Sequence, residues 1–160
     1  MILVTVGMQL GFDRLITAMD TIAPSLGMEV IAQTGKGNYA PKNMTAHQSI
    51  APAEFEELVQ KSRLIVSHAG IGTVLTAQRF ATPIVLFPRR FDHGEHRNDH
   101  QVATVRNLAG RSGLLVAMDE ADLAPTIAKG LATKGQSAEP SATAQQLHAA
   151  IGNFIEGRAI

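Results

Sequence analysis

The sequence predicts a single α/β domain, residues 1 to 160, in which a parallel sheet carries helices on both faces. Three observations lead to that expectation. Short apolar runs rich in β-branched residues recur along the chain. They alternate with longer stretches whose apolar residues fall at helical spacing. The short runs are apolar continuously rather than at every second position, as strands covered on both faces must be. The expected architecture is therefore Rossmann-like.

Each element follows from its residues. Ile2 to Val6 reads as the first strand, ended by Gly7. Phe12, Leu15, Ile16, Met19, Ile22 and Ala23 keep helical spacing until Pro24 and Gly27 stop them. Glu29 to Gln33 is a second strand, closed by the loop with Gly35, Gly37 and Asn38, and Met44 to Ile50 holds a weaker third. Pro52 suits the first turn of a helix whose apolar face is Phe55, Leu58 and Val59. Then follow a strand over Arg63 to Ser67, a helix from Ile71 to Phe80 and a strand over Pro83 to Phe87. After a polar loop at 88–97 come a helix over Asp99 to Ala109, a strand over Gly113 to Ala117 and a helix over Glu120 to Leu131. KGQSAEPSA at 134–142 reads as a short linker. Beyond it, Leu147, Ile151, Phe154 and Ile155 place an apolar stripe on a final helix at 143–157, which docks on its own domain or on a partner.

Composition removes several classes of function. The chain is 45% apolar and 18% charged, as ordinary globular proteins are. Lys plus Arg and Asp plus Glu both number 14, so no global basic footprint points to nucleic acid. The absence of cysteine excludes a disulfide framework and Cys-ligated zinc, and fits a reducing, cytoplasmic setting. The opening run MILVTVG falls far short of the about 20 apolar residues a membrane span needs. Any work at a membrane then requires something else to bring the chain there.

In open parallel sheets ligands bind at the carboxyl ends of the strands. Three loops are placed there: Gly7 to Gly11, Ser67 to Thr73, and Pro88 to His100. In the second, VSHAGIGT, Gly70 and Gly72 keep side chains out of the way before a helix N-terminus, and Ser67 and Thr73 add hydroxyls. Such a turn suits a phosphate, and equally a tight turn whose glycines only allow close packing. It is neither a P-loop nor a dinucleotide fingerprint, since Gly-Lys-Ser/Thr and G-x-G-x-x-G are absent. The third loop gathers Arg89, Arg90, Arg97, His93, His96 and His100, as if to meet an anion, or simply to sit in solvent. A zinc site at His93, His96 and His100 is the competing reading, against which stand Gly94, Arg97 and the lack of a fourth ligand.

SHAG-x-G-T followed by H-R-N-D-H-Q, together with ILVTVG, FDRLI, VIAQTG and PIVLFPRR, resembles the C-terminal, donor-binding half of glycosyltransferase family 28 over residues 2 to about 108. It looks most like stand-alone subunits of two-component transferases, among them the catalytic subunit of the dolichol-linked N-acetylglucosamine transferase and bacterial exopolysaccharide glucuronosyltransferase subunits. The resemblance implies the C-terminal half of a GT-B fold. It implies that Ser67, His68, Ala69, Gly70, Gly72 and Thr73 lie against the donor diphosphate, and that Asp99, His100 and Gln101 hold the donor sugar. Gly7 would face the cleft, with Gln33, Thr34 and Gly35 near the nucleoside. Many members carry a Glu where this chain has Thr76, which leaves the ribose contact open.

The implied reaction moves a sugar, glucuronate or N-acetylglucosamine, from a UDP-sugar to a lipid-linked saccharide, in exopolysaccharide synthesis. No Asp-x-Asp is present, so backbone N–H groups and Arg or His donors are expected to take up the leaving-group charge without a metal or other cofactor. Arg89 and Arg90 would suit a uronate carboxylate, or equally a pyrophosphate or the surface. A general base is not evident. Glu95, His96 and Asp92 are the candidates, and in the two-domain family the base belongs to the other half. The expectation is a hexosyltransferase active only with a membrane-anchored, acceptor-binding subunit that recruits it to the inner face of the membrane. A non-catalytic nucleotide-sugar-binding module and an epimerase-like enzyme are the alternatives.

Overall fold

The computed structural model describes residues 1–133, so the expected linker at 134–142 and final helix at 143–157 lie outside the described residues. Six strands form one sheet: β1 (Ile2–Thr5), β2 (Val30–Gln33), β3 (Thr45–His47), β4 (Leu64–Ser67), β5 (Ile84–Leu86) and β6 (Leu114–Val116). Their order is β3-β2-β1-β4-β5-β6, and every pairing is parallel. Among the described residues, four α-helices connect strands, α1 (Asp13–Ile22), α2 (Pro52–Lys61), α3 (Ile71–Arg79) and α4 (His100–Leu108), β2 passes to β3 without one, and α5 (Glu120–Ala132) follows β6. The alternation expected from the sequence is the one observed.

Continuous apolar strands reflect two separate cores. Ile2, Val4 and Val6 face Leu15, Ile16 and Met19 of α1 and Leu123 and Ile127 of α5. Leu3 and Ile65 face the other way, against Val59 of α2, Val74 and Ala77 of α3 and Val105 of α4. Successive strand residues point to opposite faces, and here both faces are covered. Gly130 lets α5 come close: a Cβ there would lie 2.7 Å from a methyl of Leu64.

The third strand is shorter than the expected 44–50. Only Thr45–His47 pair, at the sheet edge, and all three are exposed. Met44 and Ile50 on either side of it pack inward, yet neither belongs to the paired strand. The segment before β3 is held instead by Asp20 of α1, 3% exposed. Its carboxylate accepts from the Tyr39 hydroxyl at 2.8 Å and from the backbone N–H of Lys42 and Asn43 at 3.0 and 2.7 Å. Burial pushes the Asp20 pKa up, but the two backbone donors, the Tyr39 hydroxyl and the Lys42 charge outweigh it, and the net shift is downward.

The sheet grows outward from β1 in both directions, to β2 on one side and β4 on the other. Connections leaving β1 and β4 therefore diverge and open a crevice at their carboxyl ends. The register sets Thr5 beside Ser67, which brings the loop after β1 level with the loop after β4.

Candidate functional site

The loop after β4 is built around His68. Its ring lies between two glycines: a Cβ on Gly7 would stand 3.0 Å from the imidazole, and one on Gly70 would overlap it. Gly7 also has φ +76°, in the region that favours glycine. Ser67, fully buried, has its Oγ 3.3 Å from His68 Nδ1. Burial, then the charge of Arg89, lowers the His68 pKa to about 4, so at neutral pH the imidazole is uncharged. Gly70 thus serves the histidine, whereas Gly72 faces open space, and a Cβ there would meet nothing within 4 Å.

Gly70 begins α3 without a side-chain cap, and Val74 is the first residue whose N–H reaches back to it, at 3.3 Å. Among the described residues the N–H groups of Ile71, Gly72 and Thr73 have no hydrogen-bond partner, and they lie at the positive end of the helix. One cavity opens at this point and a second adjoins it, with Gly7 and Met8 lining both. The first, about 310 Å³, is lined by the loop 6–10 with His68, Arg89, His96 and Gln101. The second, about 390 Å³, has Gln33, Gly72, Thr73 and Thr76 on one side and Ile50, Pro52, Phe55 and Glu56 on the other. A larger cavity of about 510 Å³ runs along α1 from Asp13 to Ile22 and touches none of these residues.

The expected cationic cluster is dispersed. Arg89 is 2% exposed and turns inward, where its guanidinium donates to the carbonyls of Val6 at 3.0 Å, Leu10 at 2.9 Å and Gly11. Its carbon lies 4.5 Å from the centre of the Phe12 ring. Burial brings its pKa down to about 10, with Glu95 opposing, so it keeps its charge at neutral pH. Arg90 points elsewhere, its Nε 3.4 Å from Asp92. His93 lies 3.9 Å from the same carboxylate, and His96 Nδ1 is 3.1 Å from Asn98 Oδ1. Among the described residues no group of three His, Cys, Asp or Glu side chains converges as a metal site would.

Glu95 is held rather than free. Arg14 grips it with Nε at 2.5 Å and a second nitrogen at 2.8 Å, and the Arg90 N–H adds 2.9 Å. The same arginine donates to the Pro88 carbonyl at 2.9 Å and lies 4.3 Å from the centre of the Phe87 ring. With its oxygens so engaged, Glu95 braces the third loop and is poorly placed to accept a proton from a substrate. Gln101 is also a brace: its side-chain oxygen accepts from Ala69 N at 3.2 Å and Arg89 N at 3.0 Å, tying the second loop to the third.

The remaining expected residues divide. Gln33, Gly72 and Thr73 line the second cavity, and His68 and Gln101 the first. Thr34 and Gly35 line neither; both donate backbone N–H groups to the β3 side, and Gly35 approaches the Gly7 carbonyl. Asp99 accepts from Phe91 N at 3.0 Å, and His100 is exposed at the start of α4. Met8 and Glu56 were not singled out by the sequence, and Phe55 was expected only on the apolar face of α2, where it also packs. The usable signal was topological, since α2 follows the edge strand and must begin on the carboxyl rim.

The sequence matches the family described as glycosyltransferase family 28 C-terminal domain over residues 1–153. No curated protein matches it. Among solved structures, spinosyn rhamnosyltransferase SpnG complexed with spinosyn aglycone superposes with a TM-score of 0.62 at 20% identity, covering 97% of this chain and 44% of that one. The same enzyme complexed with thymidine diphosphate gives 0.55 at 21%, covering 94% and 41%. The calicheamicin glycosyltransferase gives 0.58 at 19%, covering 94% and 42%. The chain spans between 34% and 45% of the length of the transferases it matches.

Proposed function

From its place among the glycosyltransferase family 28 C-terminal domains, the family to which this chain belongs, we propose that it is the donor-binding part of a hexosyltransferase. It takes a UDP-sugar and, with a membrane-anchored partner carrying the acceptor site, transfers the sugar to a lipid-linked saccharide, in exopolysaccharide synthesis. One observation carries the donor reading: the uncapped start of α3 opens, at Gly72 and Thr73, into a cavity of about 390 Å³, and His68 of the same loop lines a neighbouring one of about 310 Å³ that shares Gly7 and Met8 with it. A diphosphate at the helix start would extend its nucleoside into the cavity of Gln33 and Phe55 and its sugar into that of His68 and His96.

The chemistry follows from the same groups. Departure of the nucleoside diphosphate develops negative charge at the α3 N-terminus, where fixed N–H dipoles meet it without reorganising. His68, neutral, adds an N–H donor from Nε2 in the tautomer whose Nδ1 accepts from Ser67 Oγ. That arrangement needs no metal. Glu95 is engaged by Arg14, which favours a base supplied from the acceptor side. The rim also carries Met8, Leu10, Ile71, Leu75 and Phe91, all exposed, and this supports a second polypeptide closing over it.

Calorimetric titration with UDP and a UDP-sugar tests the reading. The wild type should bind both, Gly72→Val should abolish binding, and transfer should appear only when the partner is present. Turnover by the isolated chain would support an epimerase-like enzyme instead, and failure of the wild type to bind UDP would refute the donor site.

A further inference from the structure

We infer that Glu56 of α2 recognises the 2′- and 3′-hydroxyls of the donor's ribose and so selects ribonucleotide over deoxyribonucleotide donors. The inference rests on the donor reading above and names a residue for it. In the second cavity, Ile50, Pro52 and Phe55 offer apolar surface of the kind a planar base requires. A vicinal diol requires something else, a pair of acceptors, and the carboxylate lining this cavity is Glu56. Position 76, on the facing helix, holds Thr76, whose hydroxyl already donates to the Gly72 carbonyl at 3.0 Å. Arg79 of α3 reaches across and holds Oε1 of Glu56 at 3.0 Å. Among the described residues Oε2 takes no hydrogen bond, so one oxygen is anchored and the other is open to a ligand.

The ion pair has little structural work to do. Its side chains are 65% and 43% exposed, and exposed pairs contribute little to stability. Substitution at Glu56 should therefore leave the fold intact and change recognition alone. Thymidine diphosphate, bound in matched structures, has no 2′-hydroxyl, so such a contact would also separate uridine from thymidine donors.

The test compares UDP with 2′-deoxy-UDP by titration calorimetry on the full chain. The wild type should prefer UDP by about tenfold, the value of one hydrogen bond to a charged group. Glu56→Ala should remove that preference by weakening UDP about tenfold more than 2′-deoxy-UDP, which has only a 3′-hydroxyl contact to lose, while leaving the melting temperature unchanged. Adding Thr76→Glu to Glu56→Ala should restore the preference, since the new carboxylate enters the same cavity from α3. An unchanged UDP preference in Glu56→Ala overturns the assignment of Glu56 while leaving the donor site standing. Absence of UDP binding to the wild type overturns both.

Discussion

Arg89 gives the sharpest test of how the rim is built. Its guanidinium holds three carbonyls of the loop after β1, and its face rests on Phe12. Arg89→Met keeps the apolar stem and removes all of the donors. Hydrogen bonds to a charged group contribute about 1.5–3 kcal/mol each, but they are not additive. Leu10 is 47% exposed, so carbonyls near it can turn to water, while Val6, 1% exposed, cannot. The expected cost is thus about 3–4 kcal/mol, a large part of a domain stability of about 5–15 kcal/mol. Denaturant titration would show it, with a fall in melting temperature of about 10 °C. Arg89→Lys retains the charge but not the fork, and should lose about 2 kcal/mol. UDP affinity should fall in both variants, because Gly7 and Met8 wall both cavities. Two variants within about 1 kcal/mol of the wild type, with unchanged UDP affinity, would refute the bracing role.

Other expectations can be read from the same rim. The pKa of His68 falls on folding from 6.5 to about 4, so its stabilising contribution is present in full above about 6.5 and is lost as pH falls toward 4. The whole effect is at most about 3 kcal/mol, and His68→Gln should flatten that part of the stability–pH curve between pH 6.5 and 4. Gly70→Ala must displace the His68 ring and should lower the melting temperature, whereas Gly72→Ala meets nothing and should leave stability unchanged while weakening UDP binding. Asp20→Ala strips the acceptor from Tyr39, Lys42 and Asn43 and should lose about 2 kcal/mol or more by denaturant titration. Because the folded pKa of Asp20 is depressed, its contribution is present above 3.8 and lost as pH falls below it, so acid unfolding of Asp20→Ala should be shallower there.

The succession of elements was legible because strands buried on both faces must be continuously apolar, and helices such as α1 show one apolar stripe. The edge strand was not: Thr45, Ala46 and His47 pair through backbone alone, which leaves no pattern to mark where pairing stops. The three loops were legible as a rim because topology fixes which ends of parallel strands they leave. Side-chain direction within them was less so. Arg89 and Arg90 are adjacent on extended backbone and so must face opposite ways, a point that sequence alternation already contained. The pairing of Arg14 with Glu95, 81 residues apart, had no local signal. Nor did the placing of Glu56 opposite Thr76, which depends on how α2 and α3 pack.

These placements change what the positive residues are for. A cluster of arginines and histidines on a rim suggests an anion held by cations. Here Arg89 faces the carbonyls of one loop, Arg14 clamps the carboxylate of another, and His68 is neutral. The charges build the walls, and the open donors at the centre are backbone N–H groups at the start of α3. Fixed dipoles of this kind act only over the first helical turn, so the position of Gly72 relative to the two cavities matters more than the total charge around it. That position is set by Gly7 and Gly70 pressing on His68, by Gln101 joining two loops, and by the level register of Thr5 and Ser67. Braces that never touch a ligand should then affect binding as strongly as the residues lining the cavities.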